Sequence, residues 1–424
     1  MDAEHLVRHV WYLLFYINTC IRDSNYTVFL HTISMETNNK SIKQKRNETK
    51  ERRKNMHCRV FELKVTKNKL NRLTKEHLKM LFLEGKWFKN AVIASDDIFQ
   101  YSYNVDSVQV KVGQVFENRS IVHLSSQMKQ DFVANIKQDI INLAKSKSSG
   151  HKVGRLQFKS YCYSIPLRQY GSTFRIDYDN NTVTIQGLPR PMKVKGMKQL
   201  QSYMEIANAK LIQKPSGYYL HITTFSEPVE SDAVTAIGVD MGIATNLTTS
   251  DGDKYNISVP ESKAVLFRSR IKSRSYVKNG RNNTKNHYKR IHRLRTAYEK
   301  QNNIKQDLAN KTVHDLLRDN EYIAIQDELI AGWHKGLFGK QVQHSCMGII
   351  KAKLKNSSKT HVIKSSYPST QLCPECKKKT FHPLSKRSYD CNHCNYHHPD
   401  RDIKAADTIL IASFDPDNIV VQRK

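Results

Sequence analysis

Hydrophobic and polar positions follow two different periods along the chain, and each period predicts a different kind of element. The sequence FELKV, which begins at Phe61, alternates strictly and therefore predicts a strand. Between about residues 70 and 147, apolar side chains such as Phe132 and Ile136 recur at steps of three and four, as on the buried face of a helix. Short strands broken by turn residues return over residues 156–225, so we expect one β-domain with a helical insertion.

A second folded region begins near residue 234, where the pattern changes again. An apolar run ends at Asp240 and is followed by a second strand, an Asp-Gly turn at Asp251 and a third strand over residues 254–259. An acidic residue at the end of the first of three consecutive antiparallel strands is typical of the start of an RNase H-like domain. Residues 263–320 then predict helices with strong positive charge.

Length and charge narrow the classes of protein to consider. The chain has 424 residues, more than one compact core usually holds, and we expect two or three domains. Its 69 lysines and arginines exceed its 39 acidic residues, and the net charge of +30 would repel itself in a compact state without a polyanionic partner. Because the basic residues are spread over most of the chain, nucleic acid is favoured over a membrane as that partner.

The first residues differ from the rest. Residues 38–55 are dense in positive charge and contain one apolar residue, which indicates a linker or an arm that contacts nucleic acid. Residues 6–21 are apolar but short for a membrane span, and no small-residue cleavage site follows them. We therefore expect residues 1–56 to be a poorly ordered basic extension. We expect a cytoplasmic, nucleoid-associated protein that is not secreted.

Four of the eight cysteines form two CxxC pairs, which predict a metal site. Fourteen residues separate the two pairs, and thiolates at this spacing close a tetrahedral zinc site. A site with four sulfur ligands has no open position, so we expect a structural zinc ion. The predicted ligands are Cys373, Cys376, Cys391 and Cys394. The nearby histidines are expected to lie at the surface or contact phosphate rather than bind this metal; they are His393, His397 and His398.

Three acidic positions, far apart in the chain, are candidate ligands for catalytic metal ions. Asp240 ends the first strand of its region, an acidic pair follows the apolar strand Tyr322–Gln326, and Asp402 opens an amphipathic helix. Hydrolysis of a phosphodiester by two divalent cations needs several carboxylates that converge from separate elements. Each position alone is weak, because an acid at the start of a helix is often only a cap.

In the order of these motifs, the chain resembles the TnpB family and its relatives, the compact type V CRISPR effector nucleases. The resemblance rests on GVDMGIATNLTTSDG, YIAIQDELI, SSYPSTQLCPEC and CNHCNYHHPDRDIKAADTIL and extends over about residues 57–412. It implies a guide RNA, a double-stranded DNA target and one RuvC site with Mg²⁺ or Mn²⁺ that cuts both strands. The zinc-binding segment that contains the two CxxC pairs, called the zinc ribbon below, would then lie beside the nuclease cleft.

The second motif departs from the family pattern. Gln326 stands where the family usually has its catalytic glutamate, and a neutral amide binds metal poorly. If the strand continued, the side chain of Glu328 would fall on the same face as that of Gln326. We therefore expect Glu328 to be the second ligand, with Asp327 as the less favoured alternative.

The third motif departs in a milder way. Lys404 stands where the family usually has an asparagine, a change that would alter support of the site without removing its acid. The expected catalytic and magnesium-binding set is thus Asp240, Glu328 and Asp402, with Asp400 as an alternative to Asp402.

The resulting fold class is multidomain, α/β and α+β. An RNase H-like (RuvC) domain with an inserted zinc ribbon would follow a β-barrel-like wedge domain with a helical insertion. The expected boundaries are 57–230 for the wedge domain, about 70–150 for its insertion, 231–424 for the nuclease domain, about 263–320 for the basic insertion and about 366–399 for the ribbon.

Two groups of side chains are candidates for contact with nucleic acid. The basic helical segment offers Lys289, Arg290, Arg293 and Arg295. Aromatic residues that could stack on unpaired bases, although such residues more often belong to a core, are Trp87, Tyr161, Tyr163, Tyr218 and Tyr219.

Three other functions remain open from the sequence. Gln326 is compatible with a nuclease-inactive, RNA-guided DNA-binding protein. A transposase that uses three carboxylates for strand transfer is a second possibility, and a zinc-ribbon RNA-binding protein without chemistry is a third. The guide RNA, the DNA motif beside the target, the oligomeric state and a transposon or CRISPR context do not follow from the sequence.

Overall fold

The computed structural model describes residues 41–227, 233–274, 284–383 and 385–420. The chain divides into two compact units, of which the smaller comprises residues 1–59, 203–205 and 225–228. Among the described residues, no helix combines the length and apolar character that a membrane span requires. The apolar stretch at residues 6–21 lies outside the described residues.

The described part of the smaller unit contains helix α1 (Ile42–Lys54). Ser41 and Gln44 form a reciprocal cap at its start, and the basic last turn suits the negative end of the helix dipole. Arg53 also pairs with Glu205 at 2.7 Å. The expectation of a poorly ordered segment is therefore wrong for these residues, because capping and an ion pair offset the lack of apolar side chains.

The larger unit contains a seven-stranded sheet whose first strand is distant in sequence from the others. Its strands are β1 (His57–Val65), β4 (Ser164–Leu167), β5 (Phe174–Asp177), β6 (Thr182–Ile185), β7 (Met192–Lys195), β8 (Glu205–Lys214) and β9 (Gly217–Ser226). The order is β4-β8-β9-β1-β7-β6-β5, so β1 lies between strands that follow it by more than a hundred residues. The strand β1 thus belongs to the same sheet as the later strands, whereas the expected domain bounds and closure into a barrel stay predictions.

The insertion consists of two helices and a hairpin. They are α2 (Arg72–Ala94), β2 (Ser107–Val112), β3 (Val115–Ser120) and α3 (Ser126–Ser148). Phe88 on α2 and Phe132 on α3 are fully buried in one hydrophobic core with the sheet residue Ile165. The helical periodicity in the sequence therefore marked the face that packs on this sheet.

A second, five-stranded sheet carries the candidate acidic residues. Its strands are β10 (Thr235–Asp240), β11 (Leu247–Thr249), β12 (Lys254–Tyr255), β13 (Asn320–Gln326) and β14 (Thr360–Ile363). The order is β12-β11-β10-β13-β14. The pairs β10–β11 and β11–β12 are antiparallel, whereas β10–β13 and β13–β14 are parallel.

Helices cover both faces of this sheet. The remaining ones are α4 (Ala264–Arg274), α5 (Lys285–Asp319), α6 (Ile330–Trp333), α7 (Gly339–His344), α8 (Met347–Lys355) and α9 (Arg401–Ser413). Val239 and Ile325 pack with α5 and α8 in one core, whereas Ala324 packs with Ile409 of α9 in another. Since strand side chains alternate between faces, the even-numbered residues of β10 and β13 face α9.

The cysteine-rich segment lies between β14 and α9. It contains a two-stranded hairpin of β15 (Tyr389–Asp390) and β16 (His397–His398). Tyr389 is fully buried and its hydroxyl donates a hydrogen bond to the carbonyl oxygen of Gln371 at 3.0 Å. So small a segment has little apolar surface to bury, which makes a metal ion its expected source of stability.

Candidate metal centres

Gly238 explains why Asp240 faces α9. A Cβ atom at Gly238 would lie 1.9 Å from the carbonyl oxygen of Ala406, so β10 and α9 touch backbone to backbone there. Asp240 lies two residues further along the strand and therefore on the same face. Asp402 precedes Ala406 by one helical turn and lies on the same side of α9. A spacing of two residues along β10 and of one turn along α9 thus brings the side chains of Asp240 and Asp402 to the contact between these elements.

The electrostatics of Asp240 reflect this crowding. The pKa of Asp240 rises from 3.8 to about 7, first because burial disfavours the carboxylate and then because the charges of Asp402 and Glu328 lie close. Arg401 acts in the opposite direction. Asp402 and Glu328 therefore both lie near enough to Asp240 for their charges to act on it, although 162 residues separate Asp240 from Asp402. A divalent cation would remove this repulsion.

Glu328 lies near Asp240 because of a turn after β13 that the sequence did not predict. The strand β13 ends at Gln326, where the backbone N–H of Glu328 donates to the carbonyl oxygen of Gln326 at 2.9 Å. The chain therefore turns instead of continuing as a strand, and the premise that both side chains share a face is wrong. Burial raises the pKa of Glu328, while Lys351 lowers it and Asp327 raises it.

The side chain of Gln326 is engaged in a buried polar contact. Its side chain is 4% exposed, and its Nε2 donates to the carbonyl oxygens of Lys364, Ser365 and Tyr367 at 3.3, 3.1 and 2.7 Å. Its Oε1 accepts a hydrogen bond from the hydroxyl of Ser369 at 2.8 Å. Both ends of the amide are thus occupied.

The two less favoured acids have other partners. Asp327 pairs with Lys351 at 2.6 Å and Lys355 at 3.1 Å; burial alone would raise its pKa, but these lysines hold it below the usual value. Asp400 caps α9 by accepting from the backbone N–H groups of Asp402 and Ile403. Its carboxylate also accepts from Lys254.

Two arginines lie beside Asp402, and no sequence pattern predicted either of them. Arg387 of the ribbon segment approaches Asp402 with 3.5 Å between Nη1 and Oδ2. Arg401 lies 3.9 Å from the same carboxylate, measured from Nε to Oδ1, and is itself buried. The acidic centre therefore has positive charge at one side.

The three carboxylates form an open arrangement. In the described part of the chain, the cysteine cluster is the group of three or more metal-ligating side chains whose ligand atoms all lie within 4.8 Å of one another. The acids are therefore farther apart than ligands drawn around one ion. Two cations about 3.5–4 Å apart would require such a wider spacing.

The four predicted cysteines converge as the spacing indicated. The sulfur atoms are 3.6 Å apart for Cys373 and Cys394 and 3.5 Å apart for Cys376 and Cys391. A tetrahedron with Zn–S bonds of about 2.3 Å has edges of about 3.8 Å. These residues can therefore hold a zinc ion with little movement.

The histidines near the ribbon are not part of that cluster. His397 pairs with Asp390 at 2.5 Å, and the ring of His398 accepts from the backbone of Asp400 at 3.0 Å. His393 is exposed. These positions agree with a metal site made of sulfur alone.

Lys404 and Ser369 form a buried contact that the sequence did not predict. Lys404 is fully buried, and its Nζ donates to the carbonyl oxygen of Ser369 at 3.0 Å. Burial lowers the pKa of Lys404 to about 8, although the nearby Cys373 and Cys391 act to raise it. Ser369 belongs to the YPST sequence before the ribbon, where a buried serine has no signature of its own.

The candidate basic residues do not share one face of α5. Lys289 and Arg293 are exposed and lie one turn apart, and Arg290 is half-buried next to them. Arg295 projects elsewhere and stacks over the ring of Tyr161 at 5.0 Å. Within the described residues, no salt bridge neutralises any of the four.

The candidate aromatic residues separate into two groups. Tyr161 and Tyr163 are exposed, with ring centroids 5.8 Å apart. Trp87, Tyr218 and Tyr219 pack in or against the core of the larger unit. Only the first pair keeps free ring surface for a base.

Comparison with protein-family models gives a match to the Cas12f1-like, TNB domain over residues 346–409. The match begins at the start of α8, includes both CxxC pairs and ends within α9. A comparison with curated proteins gives no match. Residues 346–409 are therefore similar to a Cas12f1-like TNB domain, which is consistent with the expected resemblance to the TnpB family and its compact type V relatives.

Proposed function

We propose that this protein is an RNA-guided DNA endonuclease that hydrolyses its target at one RuvC-type site. The observation that carries the proposal is the backbone contact of β10 with α9 at Gly238 and Ala406, because it puts Asp240 and Asp402 on facing sides of these elements. The pKa of Asp240 is raised by burial first and then by the charges of Asp402 and Glu328, and such a shift is typical of an acid at a functional site. The Cas12f1-like TNB domain beside them supports the nuclease class.

The topology of the second sheet supports an RNase H-like domain. Three antiparallel strands, β10 to β12, are followed in space by two strands parallel to β10. Asp240 lies at the end of the central strand, and α9 crosses the face on which this acid lies. An acid in this position is what we expect of an RNase H-like domain.

Asp240, Glu328 and Asp402 are the residues that would hold Mg²⁺ or Mn²⁺. Such cations stabilise charge on the phosphate and lower the pKa of bound water. Asp240 and Asp402 would hold an ion between facing elements, and Glu328 would complete the set from the turn after β13. Arg387 lies where a side chain could contact a phosphate held at Asp402.

The proposed partners are a guide RNA and a double-stranded DNA target. A chain with a net charge of +30 can hold an RNA–DNA heteroduplex by its backbone, while base pairing selects the sequence. Lys289, Arg290 and Arg293 on α5 offer one unpaired basic surface for this purpose. A cytoplasmic location beside the nucleoid remains part of the proposal.

A second candidate is a nuclease-inactive RNA-guided binder, and the contacts of Gln326 favour it. A glutamine binds a cation through Oε1, and here Oε1 already accepts from the hydroxyl of Ser369 while Nε2 donates to backbone carbonyl oxygens. The site would then rely on Asp240, Asp402 and the displaced Glu328. If these three hold cations too weakly, the chain binds its target without cutting it.

Purified protein with its copurifying RNA provides the test. The RNA should be one discrete structured species, and DNA that matches its guide segment should be cut in Mg²⁺ but not in EDTA. Replacing the guide segment should redirect cutting to the new sequence. Target binding without cleavage would select the second candidate, and a random sample of cellular RNA would contradict guidance altogether.

A further inference from the structure

Three elements meet at Ser369, which lies four residues before the first ribbon cysteine. Its hydroxyl donates to Oε1 of Gln326 at 2.8 Å, and its carbonyl oxygen accepts from Nζ of Lys404 at 3.0 Å. Gln326 ends β13, and Lys404 lies on α9 two residues after Asp402. Ser369 therefore connects the strand that precedes Glu328 to the helix that carries Asp402.

The surroundings of Gln326 require an amide. Its Nε2 donates to three backbone carbonyl oxygens in the loop that joins β14 to the ribbon, at 3.3, 3.1 and 2.7 Å. A carboxylate has no proton to donate and would face these oxygens in a buried space. The residue therefore anchors the loop that leads into the ribbon.

Lys404 continues the contact into the ribbon itself. Its Nζ lies 3.9 Å from the centroid of the Tyr389 ring, and both side chains are fully buried. Tyr389 lies two residues before Cys391, and its hydroxyl donates to Gln371, two residues before Cys373. The ammonium group thus rests on the residue that joins the two CxxC pairs.

We propose that Gln326, Ser369 and Lys404 form one positioning link that couples the zinc-loaded ribbon to the carboxylate site. The link is buried and hydrogen-bonded along its length, so a shift at one end moves the other instead of being absorbed by solvent. Zinc retention by the ribbon and cation affinity at Asp240, Glu328 and Asp402 then depend on each other.

Only the second of these two readouts rests on the proposed function. Zinc retention can be measured whether or not the protein cuts DNA. If the protein does not cut DNA but the variants below change the rate of zinc release, the proposed link therefore still holds. The reverse result, normal cleavage with zinc release unaffected by the variants below, overturns the link alone.

The decisive variant is Gln326→Glu, with Gln341→Glu as a matched control at an exposed position of α7. The full chain with its RNA is mixed with a chromophoric chelator to follow zinc release, and Mn²⁺ binding is followed by electron paramagnetic resonance. We expect Gln326→Glu to release zinc about tenfold faster or more and to bind Mn²⁺ several-fold more weakly. The control should match the parent. Tighter Mn²⁺ binding with unchanged zinc release would identify Gln326 as a displaced metal ligand and overturn the link.

Milder variants separate a link from general loss of structure. Ser369→Ala removes only the hydroxyl, and Lys404→Met keeps the buried chain without its ammonium group. Each should move both readouts in the same direction as Gln326→Glu, but less. Gln326→Glu keeps the oxygen that accepts from Ser369 but removes the donors to the loop carbonyls. Because both residues belong to one link, the effects of Gln326→Glu and Ser369→Ala on zinc release should be less than additive in the double variant. Additive effects on zinc release would overturn the proposal.

Discussion

The two candidate metal centres differ in how closely their ligands gather. The four cysteine ligands all lie within 4.8 Å of one another, whereas among the described residues the three acids form no such tight cluster. The first centre has the dimensions of a closed tetrahedron, which leaves no position for substrate. The second is open, and two cations would require a wider spacing of this kind.

The cost of assembling each centre differs in the same way. Thiols placed around a zinc ion gain their stability from the metal and need little else. Burial and the neighbouring acids together raise the pKa of Asp240 to about 7, and the nearby Arg401 offsets them only in part. The cysteine centre, which is closed, is thus expected to stabilise the fold. The acidic centre, called the open centre below, is expected to bind catalytic cations and to lower the stability of the fold when they are absent.

The largest effect is expected at Asp240, the half-buried acid of the open centre. Asp240→Asn keeps the shape of the side chain but removes a charged ligand shared by the expected cations. Cleavage of guide-matched DNA should fall by roughly a thousandfold or more, while target binding stays nearly unchanged. Cleavage rates and binding measured on the same preparations check this. Cutting at the parent rate would remove Asp240 from the site.

A substitution in the closed centre should act through structure instead. Cys391→Ser leaves three thiolate ligands and should release zinc and unfold the ribbon, so cleavage is lost together with local protection from proteolysis. Limited proteolysis around residues 366–399 checks this, with Cys346→Ser, a buried cysteine outside the cluster, as the control. An intact ribbon without zinc would contradict the division between the two centres.

Glu328 and Asp327 are adjacent, and their substitution sharpens the account of the open centre. Glu328→Gln should lower cleavage by roughly a hundredfold, because it removes a charge that bears on Asp240. Asp327→Asn should cost far less, because Asp327 is engaged with Lys351 and Lys355. Single-turnover cleavage at several Mg²⁺ concentrations separates them. The opposite order of effects would move the ligand to Asp327.

The smallest effect is a dependence of stability on pH in protein stripped of divalent cations. Asp240 has a pKa of 3.8 when exposed and about 7 in the fold, so between these values the folded state keeps a proton that the unfolded state has lost. Stability from this group is therefore lost as pH rises from about 4 to 7, by at most about 1.4 kcal/mol per pH unit. Asp240→Asn should remove this slope, and Mg²⁺ should stabilise the parent more at pH 8 than at pH 5. Thermal unfolding checks both, and equal slopes for parent and variant would contradict the account.

How far the sequence predicted each centre follows from the same contrast. The cysteine positions lie close in the chain, so their spacing alone fixed the cluster. Asp240 and Asp402 could be predicted as candidates, but their meeting depends on Gly238, where β10 and α9 touch. The turn after Gln326 could not be predicted, because an apolar strand does not reveal where its last hydrogen bond falls.

The contacts of Lys404 and Ser369 could not be predicted from the sequence for a similar reason. A lysine normally indicates an exposed position, and only tertiary packing places this one between a carbonyl oxygen and an aromatic ring. The residues of the open centre therefore remain a proposal, whereas the cysteine cluster stands as predicted.

An experimental structure of the full chain with its RNA, prepared with Mn²⁺, tests the central claim most directly. Anomalous scattering collected at the manganese edge locates the ions without reference to activity. The account predicts one or two manganese peaks bounded by the carboxylates of Asp240, Glu328 and Asp402, with Gln326 turned toward Ser369. Manganese absent from these three acids, or bound at Gln326, would contradict it.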